Sequence, residues 1–321
     1  MTINWGILGA SKFARQHMGP AIHAAKGARL AGLATSSAEK AAGFREFAPD
    51  LRIYDNYGEL LADPNIDAVY IPLPNHLHLD WSLKVLETGK HVLCEKPMTL
   101  NADEFDQLIA ARDGSGLLAA EAFMIVHHPQ WQKARDLVQG GAIGQLIHVD
   151  ATFTYNNASD PGNIRNRPET GGGSIPDIGV YTFGCVRFVT GEEPEHITGT
   201  DITFENDVDV ISRVSARFPG FTFASLTSMR MAPRQEVVFH GDTGLLRLTA
   251  PFNPTVFGEA KVRLETGQDA QEWRFTAANH YVNQVENFCG AINSPANYPC
   301  PLEFSKGTQK MIDEVFKLAK G

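Results

Sequence analysis

No apolar run in this 321-residue sequence reaches the roughly 18 residues that a membrane-spanning helix needs. Basic runs are missing too. Lys and Arg number 28 against 37 Asp and Glu, giving a net charge of −9 and arguing against a nucleic-acid partner. Cysteine is scarce. Cys94, Cys185, Cys289 and Cys300 stand far apart, with no metal-type spacing, so no metal site is expected. They read as reduced thiols of a cytoplasmic protein. Met1-Thr2 passes straight into a strand-like segment, so no secretory leader is expected. Internal repeats and low-complexity tracts are absent. What remains is the composition of a soluble globular enzyme, 43% hydrophobic and 20% charged, with length for two domains.

Strand-like and helix-like segments alternate over the first third. Residues 3–9 are apolar, and a Gly/Ser turn leads into a helical segment to about Ala25. Arg29–Ala34 reads as a strand and Ser37–Phe47 as a helix. Asp67–Ile71, Leu77–Glu87 and Lys90–Cys94 repeat the pattern. Asn101 is placed to cap a helix to about Arg112, and Leu117–Ala120 is a further strand. This alternation predicts a parallel, doubly wound sheet. The rhythm changes near residue 122. His148–Tyr155 alternates, a Gly/Asn/Pro-rich loop covers 156–173, and from Glu195 to Phe275 short strand-like runs follow one another, Ile197–Phe204, Val210–Phe218, Thr222–Ser228, Glu236–His240 and Leu245–Thr249. They predict one large antiparallel sheet. Helices at about 279–292 and 303–319 close the chain. The expected fold is an α/β domain with a parallel sheet over 1–121, then an α+β domain with a large, mostly antiparallel open sheet over 122–321.

The first turn reads Gly9-Ala10-Ser11-Lys12-Phe13-Ala14, a variant of the dinucleotide fingerprint. Gly9 permits the tight turn, Ser11 stands for the second glycine, and Ala14 allows close helix–strand packing. The helix start attracts a pyrophosphate. An NAD site normally ends its second strand with Asp or Glu to hold the ribose 2′-hydroxyl. Here Thr35-Ser36-Ser37 supply hydroxyls, with Lys40 one turn beyond. Hydroxyls and a cation suit a 2′-phosphate, which a carboxylate would repel. The expected cofactor is therefore NADP rather than NAD. The bland alternative is a Ser N-cap with a solvated lysine.

Pro72-Leu73-Pro74-Asn75-His76-Leu77-His78 follows a strand and faces the same crevice as that turn. Asn75 suits either the nicotinamide ribose or a helix cap. Val92-Leu93-Cys94-Glu95-Lys96-Pro97 ends another buried strand, placing Lys96 within reach of cofactor and substrate, and Pro97 fixes the backbone there, with a cis bond available to it. A third cluster runs Gly171-Gly172-Gly173-Ser174-Ile175-Pro176-Asp177-Ile178-Gly179-Val180-Tyr181. Asp177 and Tyr181 are four apart and share one face of a helix. The glycines admit another backbone or a ligand.

In this order these motifs resemble the Gfo/Idh/MocA family of sugar and polyol oxidoreductases, over essentially the whole length. Glu121-Ala122-Phe123-Met124, His127-His128-Pro129-Gln130 and Asn163-Ile164-Arg165 are similar to its NADP-dependent xylose dehydrogenase and dihydrodiol dehydrogenase branch. Gly173-Ser174, Asp177-Ile178-Gly179 and Tyr181 with Gly191-Glu192-Glu193-Pro194 are similar to glucose-fructose oxidoreductase. Inositol dehydrogenases carry His where this chain has Tyr181, which sets it apart from them. The resemblance implies an N-terminal Rossmann domain and a C-terminal sheet that pairs subunits into homodimers or homotetramers. It implies that Lys96 and Tyr181 are the catalytic pair and that Asp177 orients substrate. Pro72, Asn75, His78, Glu95, Lys96 and Arg165 then join Gly9, Ser11, Lys12, Phe13, Ala14, Ser36, Ser37 and Lys40 around the cofactor.

These residue types suit the reaction. Oxidising a sugar hydroxyl removes a hydride from carbon and a proton from oxygen. Tyrosine titrates at about 10, too high for an efficient base near neutrality. A nearby ammonium favours tyrosinate and stabilises charge on the substrate oxygen. Either Lys96 or Tyr181 takes the proton. Two other classes stay open. One is a non-catalytic, NADP-binding sensor of this fold, which would bind cofactor without turnover. The other is an NAD-dependent glycosidase, which would retain nucleotide through purification. His127, His128 and Trp131 are open between pocket and core.

Overall fold

A computed structural model describes residues 2–320. They form two compact units. The first runs to His127 and takes in residues 280–306; the second comprises His128–Asn279 and the residues from Gly307 onward.

The first unit begins with β1 (Ile3–Leu8), followed by a π-helical segment, Ala14–Met18, that runs into α1 (Gly19–Ala24). Then come β2 (Ala28–Ala34), α2 (Ala38–Arg45), β3 (Arg52–Tyr54), α3 (Tyr57–Ala62), β4 (Ala68–Ile71), α4 (His78–Glu87), β5 (His91–Cys94), α5 (Glu104–Ser115) and β6 (Ala119–Glu121). The six strands are parallel and ordered β3-β2-β1-β4-β5-β6. The order reverses between β1 and β4, so the crevice for a ligand opens at their C-terminal ends. β4 is buried throughout, as a strand covered on both faces must be. At the start of α5, Asn101 Oδ1 accepts from the Glu104 N–H at 3.1 Å, and the Glu104 carboxylate accepts in turn from the Leu100 N–H at 2.9 Å. The expected cap is therefore present, as a reciprocal box.

Neither β3 nor α3 was predicted. Three residues carry no periodicity, and a side chain holds them instead. Asp63 Oδ2 accepts from the Tyr54 hydroxyl at 2.6 Å and from Arg52 at 2.7 Å, and Oδ1 accepts from the Asn65 N–H at 2.8 Å. The Tyr54 bond above all lowers the Asp63 carboxyl from its ordinary 3.8 to about 2. A lowered folded-state value gives stability that is complete above pH 4–5 and disappears as pH falls through about 2. Asp63→Asn is therefore expected to cost about 1–2 kcal/mol at pH 7 and almost nothing near pH 2. Urea titrations of both proteins across that range check the convergence.

The second unit contains α6 (Pro129–Gln139), β7 (Leu146–Asn156), α7 (Val180–Thr190), β8 (His196–Glu205), β9 (Val208–Phe218), β10 (Phe221–Ser228), β11 (Arg230–Gly241), β12 (Leu245–Leu248), α8 (Pro254–Phe257), β13 (Lys261–Thr266) and β14 (Asp269–Arg274). Its eight strands are ordered β14-β13-β12-β11-β7-β10-β9-β8. All neighbours are antiparallel except β7 and β10, which run parallel from the His148–Thr222 pair to the Thr154–Ser228 pair. One face is apolar: Phe153, Phe223, Val237 and Phe239 are buried beneath α6 and α7. The other carries exposed Asp150, Arg213, Arg217 and His240. α9 (His280–Ala291) then returns to the first unit, where Phe288 lies 5.0 Å from the Trp5 ring. The last helix, α10 (Leu302–Ala319), gives its first residues to the first unit and the rest to the second.

Candidate active site

In the first unit, the turn after β1 hangs on Gly9, whose φ of +92° favours glycine. Its N–H donates to the Ala34 carbonyl at 3.0 Å. Ser11 is the cap of the following helix: Oγ accepts from the Ala14 N–H at 3.0 Å. Ala14 is buried, Lys12 is exposed, and the Phe13 ring meets Tyr281 of α9 edge-on at 5.7 Å. At the end of β2, Thr35 Oγ1 accepts from the Ser37 N–H at 3.2 Å, and Ser37 Oγ caps α2 through the Lys40 N–H at 3.2 Å. Ser36 and Lys40 are exposed, and no carboxylate lies between Thr35 and Ala38. Ser37 is thus an N-cap, while Ser36 and Lys40 stay open to solvent. Pro72 is buried, and Asn75 opens a single 3-10 turn ahead of α4.

β5 ends beside this loop, with the Glu95 N–H donating to the Ile71 carbonyl at 3.0 Å. The Tyr70 hydroxyl donates to Glu95 Oε1 at 2.7 Å, and the Lys96 N–H to Glu95 Oε2 at 3.3 Å. Lys96 is half-buried, and its bond to Pro97 is cis. His78 is fully buried, with Nδ1 2.7 Å from the Pro97 carbonyl and Nε2 2.7 Å from the Leu73 carbonyl. Burial lowers its titration from 6.5 to about 4, against the two carbonyls, which favour the imidazolium.

The second unit holds Arg165, Asp177 and Tyr181. Asn163 caps a 3-10 turn, Ile164–Asn166, that presents Arg165. The glycine run packs directly on this turn: the Gly172 N–H donates to the Arg167 carbonyl and the Gly173 N–H to the Arg165 carbonyl, both at 3.0 Å. A Cβ on Gly172 would stand 2.5 Å from the Arg165 carbonyl, so no other residue fits. A π-helical turn, Ile175–Gly179, then carries Asp177 and leads into α7 with Tyr181. Buried Asp209 anchors its start, accepting from Ser174 Oγ at 2.7 Å and the Ile175 N–H at 2.8 Å. Burial pushes Asp209 up to about 6.

Arg165 Nε pairs with Asp177 Oδ2 at 2.9 Å, and the Tyr155 hydroxyl donates to the same oxygen at 2.7 Å. The Asp177 charge raises Arg165 above its ordinary range, and burial, then Asp177, does the same to Tyr155. Tyr181 also lies within electrostatic reach of Arg165. Its ring is 6% exposed and centred 6.0 Å from Phe153 and 5.9 Å from Phe252. Asp177 and Tyr181, nominated from one stretch of sequence, and Arg165, nominated from another, are thus one cluster. Tyr155 and Asp209 were not nominated. Tyr155 shares the buried face of β7 with Phe153 by the two-residue period, the one signal available for it. Asp209 sits between two valines at the start of β9, a lone acid in an apolar run. His127, His128 and Trp131 are buried. Trp131 Nε1 donates to the Pro251 carbonyl at 2.8 Å, and His128 caps α6 through the Gln130 N–H at 3.1 Å.

Residues 3–123 match the GFO_IDH_MocA family model, described as an oxidoreductase family with an NAD-binding Rossmann fold, and residues 131–247 match the GFO/IDH/MocA C-terminal domain. An uncharacterized oxidoreductase of Rhizobium meliloti, ORF334, is 36% identical over 99% of this chain and 97% of its own length. A D-xylose 1-dehydrogenase (NADP(+)) of Haloferax volcanii is 29% identical, covering 98% of this chain and 97% of the relative. The crystal structure of KijD10, a 3-ketoreductase from Actinomadura kijaniata in complex with NADP and TDP-benzene, superposes with a TM-score of 0.90 at 29% identity, over 99% of this chain and 98% of that one.

Proposed function

We propose that this chain, which belongs to the Gfo/Idh/MocA oxidoreductase family, uses NADP(H) to interconvert a hydroxyl and a carbonyl on a sugar or sugar-like polyol. The observation that carries the reading lies in the first unit. The parallel sheet's C-terminal edge carries the Gly9 turn, the hydroxyl-lined end of β2 and Lys96 together. NADP held there would supply the hydride-transfer chemistry. The Gly9–Ala14 turn and the helix behind it suit a pyrophosphate, and Ser36, Ser37 and Lys40 suit a 2′-phosphate. The NADP named for the xylose dehydrogenase and for KijD10 supports the same choice.

Lys96 and Tyr181 hold and move the proton at the reacting oxygen. Asp177, fixed by Arg165 and Tyr155, offers a charged acceptor for a substrate hydroxyl, an interaction suited to a polyol. The exposed face of the eight-stranded sheet is assigned to pairing of subunits in a cytoplasmic homodimer or homotetramer. Among the described residues, no helix is long and apolar enough to cross a membrane.

The test is a panel of pentoses, hexoses, keto-sugars and diols assayed in both directions with each cofactor. Turnover on at least one sugar is expected, with kcat/KM at least tenfold higher for NADP(H) than for NAD(H). NADP binding without turnover across the panel would replace the enzyme with a sensor, and a tenfold preference for NAD would overturn the cofactor assignment.

A further inference from the structure

Two buried ionisable side chains of the first unit, His78, expected beside the cofactor, and Glu121, both grip one peptide group. That peptide joins Pro97 to Met98, one peptide beyond the Lys96–Pro97 bond. Its carbonyl oxygen lies 2.7 Å from His78 Nδ1, and its N–H donates to Glu121 Oε1 at 2.8 Å. His78 is 0% exposed and Glu121 3%. The contacts continue outward on each side. His78 Nε2 faces the Leu73 carbonyl at 2.7 Å, and the Ser305 hydroxyl donates to the Glu121 carboxylate. A neutral imidazole has one N–H; placed on Nδ1 it donates to the Pro97 carbonyl, and the hydrogen-bonded chain then links the loop after β5, the end of β6 and the first residues of α10.

The C=O and N–H of a trans peptide point to opposite sides of its axis. A grip on one end leaves the plane free to rock about the other. Grips on both ends remove that freedom. Water does not reach the buried contacts, so losing either partner leaves an unpaired polar group, which is costly in a medium of low dielectric. We propose that His78 and Glu121 are positioning residues for Lys96. By holding the Pro97–Met98 peptide from both sides, they fix the direction in which Lys96 leaves β5. The inference rests on the reading of Lys96 as a catalytic residue. A displacement of about 1 Å at such a group can cost about 10²-fold in rate.

The experiment compares Glu121→Met with Glu121→Gln. Met keeps the length and offers no comparable acceptor; Gln keeps an acceptor for the Met98 N–H. Glu121→Met is expected to lower kcat at least tenfold, while the dissociation constant for NADPH, read by fluorescence, stays within threefold of wild type. Glu121→Gln is expected to recover most of the lost kcat. A Met variant with wild-type kcat, or a Gln variant as slow as the Met variant, overturns the proposal. Should Glu121→Met fail to bind NADPH, Ser305→Ala is read instead by the same split, since it removes the hydroxyl that donates to the Glu121 carboxylate. Lys96→Met separates the two layers of argument. If that variant stays active, the reading of the site fails. If it is inactive while Glu121→Met keeps wild-type kcat, only the clamp fails.

Discussion

Lys96→Met is expected to lower kcat by about 10²–10⁴-fold while NADPH binding and thermal stability stay close to wild type. Methionine keeps the apolar stem, so the packing that half-buries this side chain survives. What is lost is the ammonium. That charge has two tasks in the proposed chemistry: it favours the deprotonated partner and it stabilises negative charge on the substrate oxygen. The loss should appear in kcat rather than in the KM for cofactor, because charge on oxygen develops only as the hydride moves. Steady-state kinetics with the best substrate of the panel, together with a fluorescence titration of NADPH, decide the matter. Activity within a few-fold of wild type would reduce Lys96 to the end of a strand.

Much of the first unit is legible in the sequence because parallel strands are buried on both faces. β1, β4 and β5 read as short apolar runs, and the Gly/Ser turn and the caps at Ser37 and Asn101 mark where helices begin. β3 was hidden because Asp63, rather than a pattern, holds it; α3 did carry a signal, the Asn56 cap that accepts from the Glu59 N–H at 2.9 Å. In the second unit, β9 and β10 betray themselves by alternating burial. β14 lies at the sheet's edge, with Asp269, Ala270, Gln271 and Glu272 all exposed, so no alternation marks it. The parallel pairing of β7 with β10 is a contact between strands more than seventy residues apart, and no local rule predicts it.

The site divides in the same way. Lys96 and the turn at Gly9 could be found because each follows a readable strand. The spacing of Asp177 and Tyr181 suggested a shared helical face, yet a π-helical turn precedes α7 and changes the simple four-residue geometry. Arg165 joins the pair, delivered by a loop that fits only because Gly172 has no side chain. Tyr155 and Glu121 escaped for a related reason. Each is a polar residue ending a buried strand, and only the three-dimensional contact shows what it holds.

Tyr181→Phe tests the other half of the proposed pair. The substitution deletes one oxygen and keeps the ring that packs near Phe153 and Phe252. Stability should therefore change by no more than about 1 kcal/mol, the scale of one hydrogen bond. If the hydroxyl carries the proton, kcat falls by at least about 10²-fold, or about 2.7 kcal/mol of barrier. The neighbourhood makes the oxygen's role distinctive. Arg165 is already neutralised by Asp177, with Tyr155 donating to the same carboxylate, so the substrate-orienting contact proposed for Asp177 survives when the Tyr181 hydroxyl is removed. The KM for sugar should accordingly move little while kcat collapses. The pH–rate profile for oxidation should also lose the rising limb that deprotonation of the proposed acid/base would give. A variant with near-normal kcat and an unchanged limb would make Tyr181 a packing residue and leave Lys96 as the base.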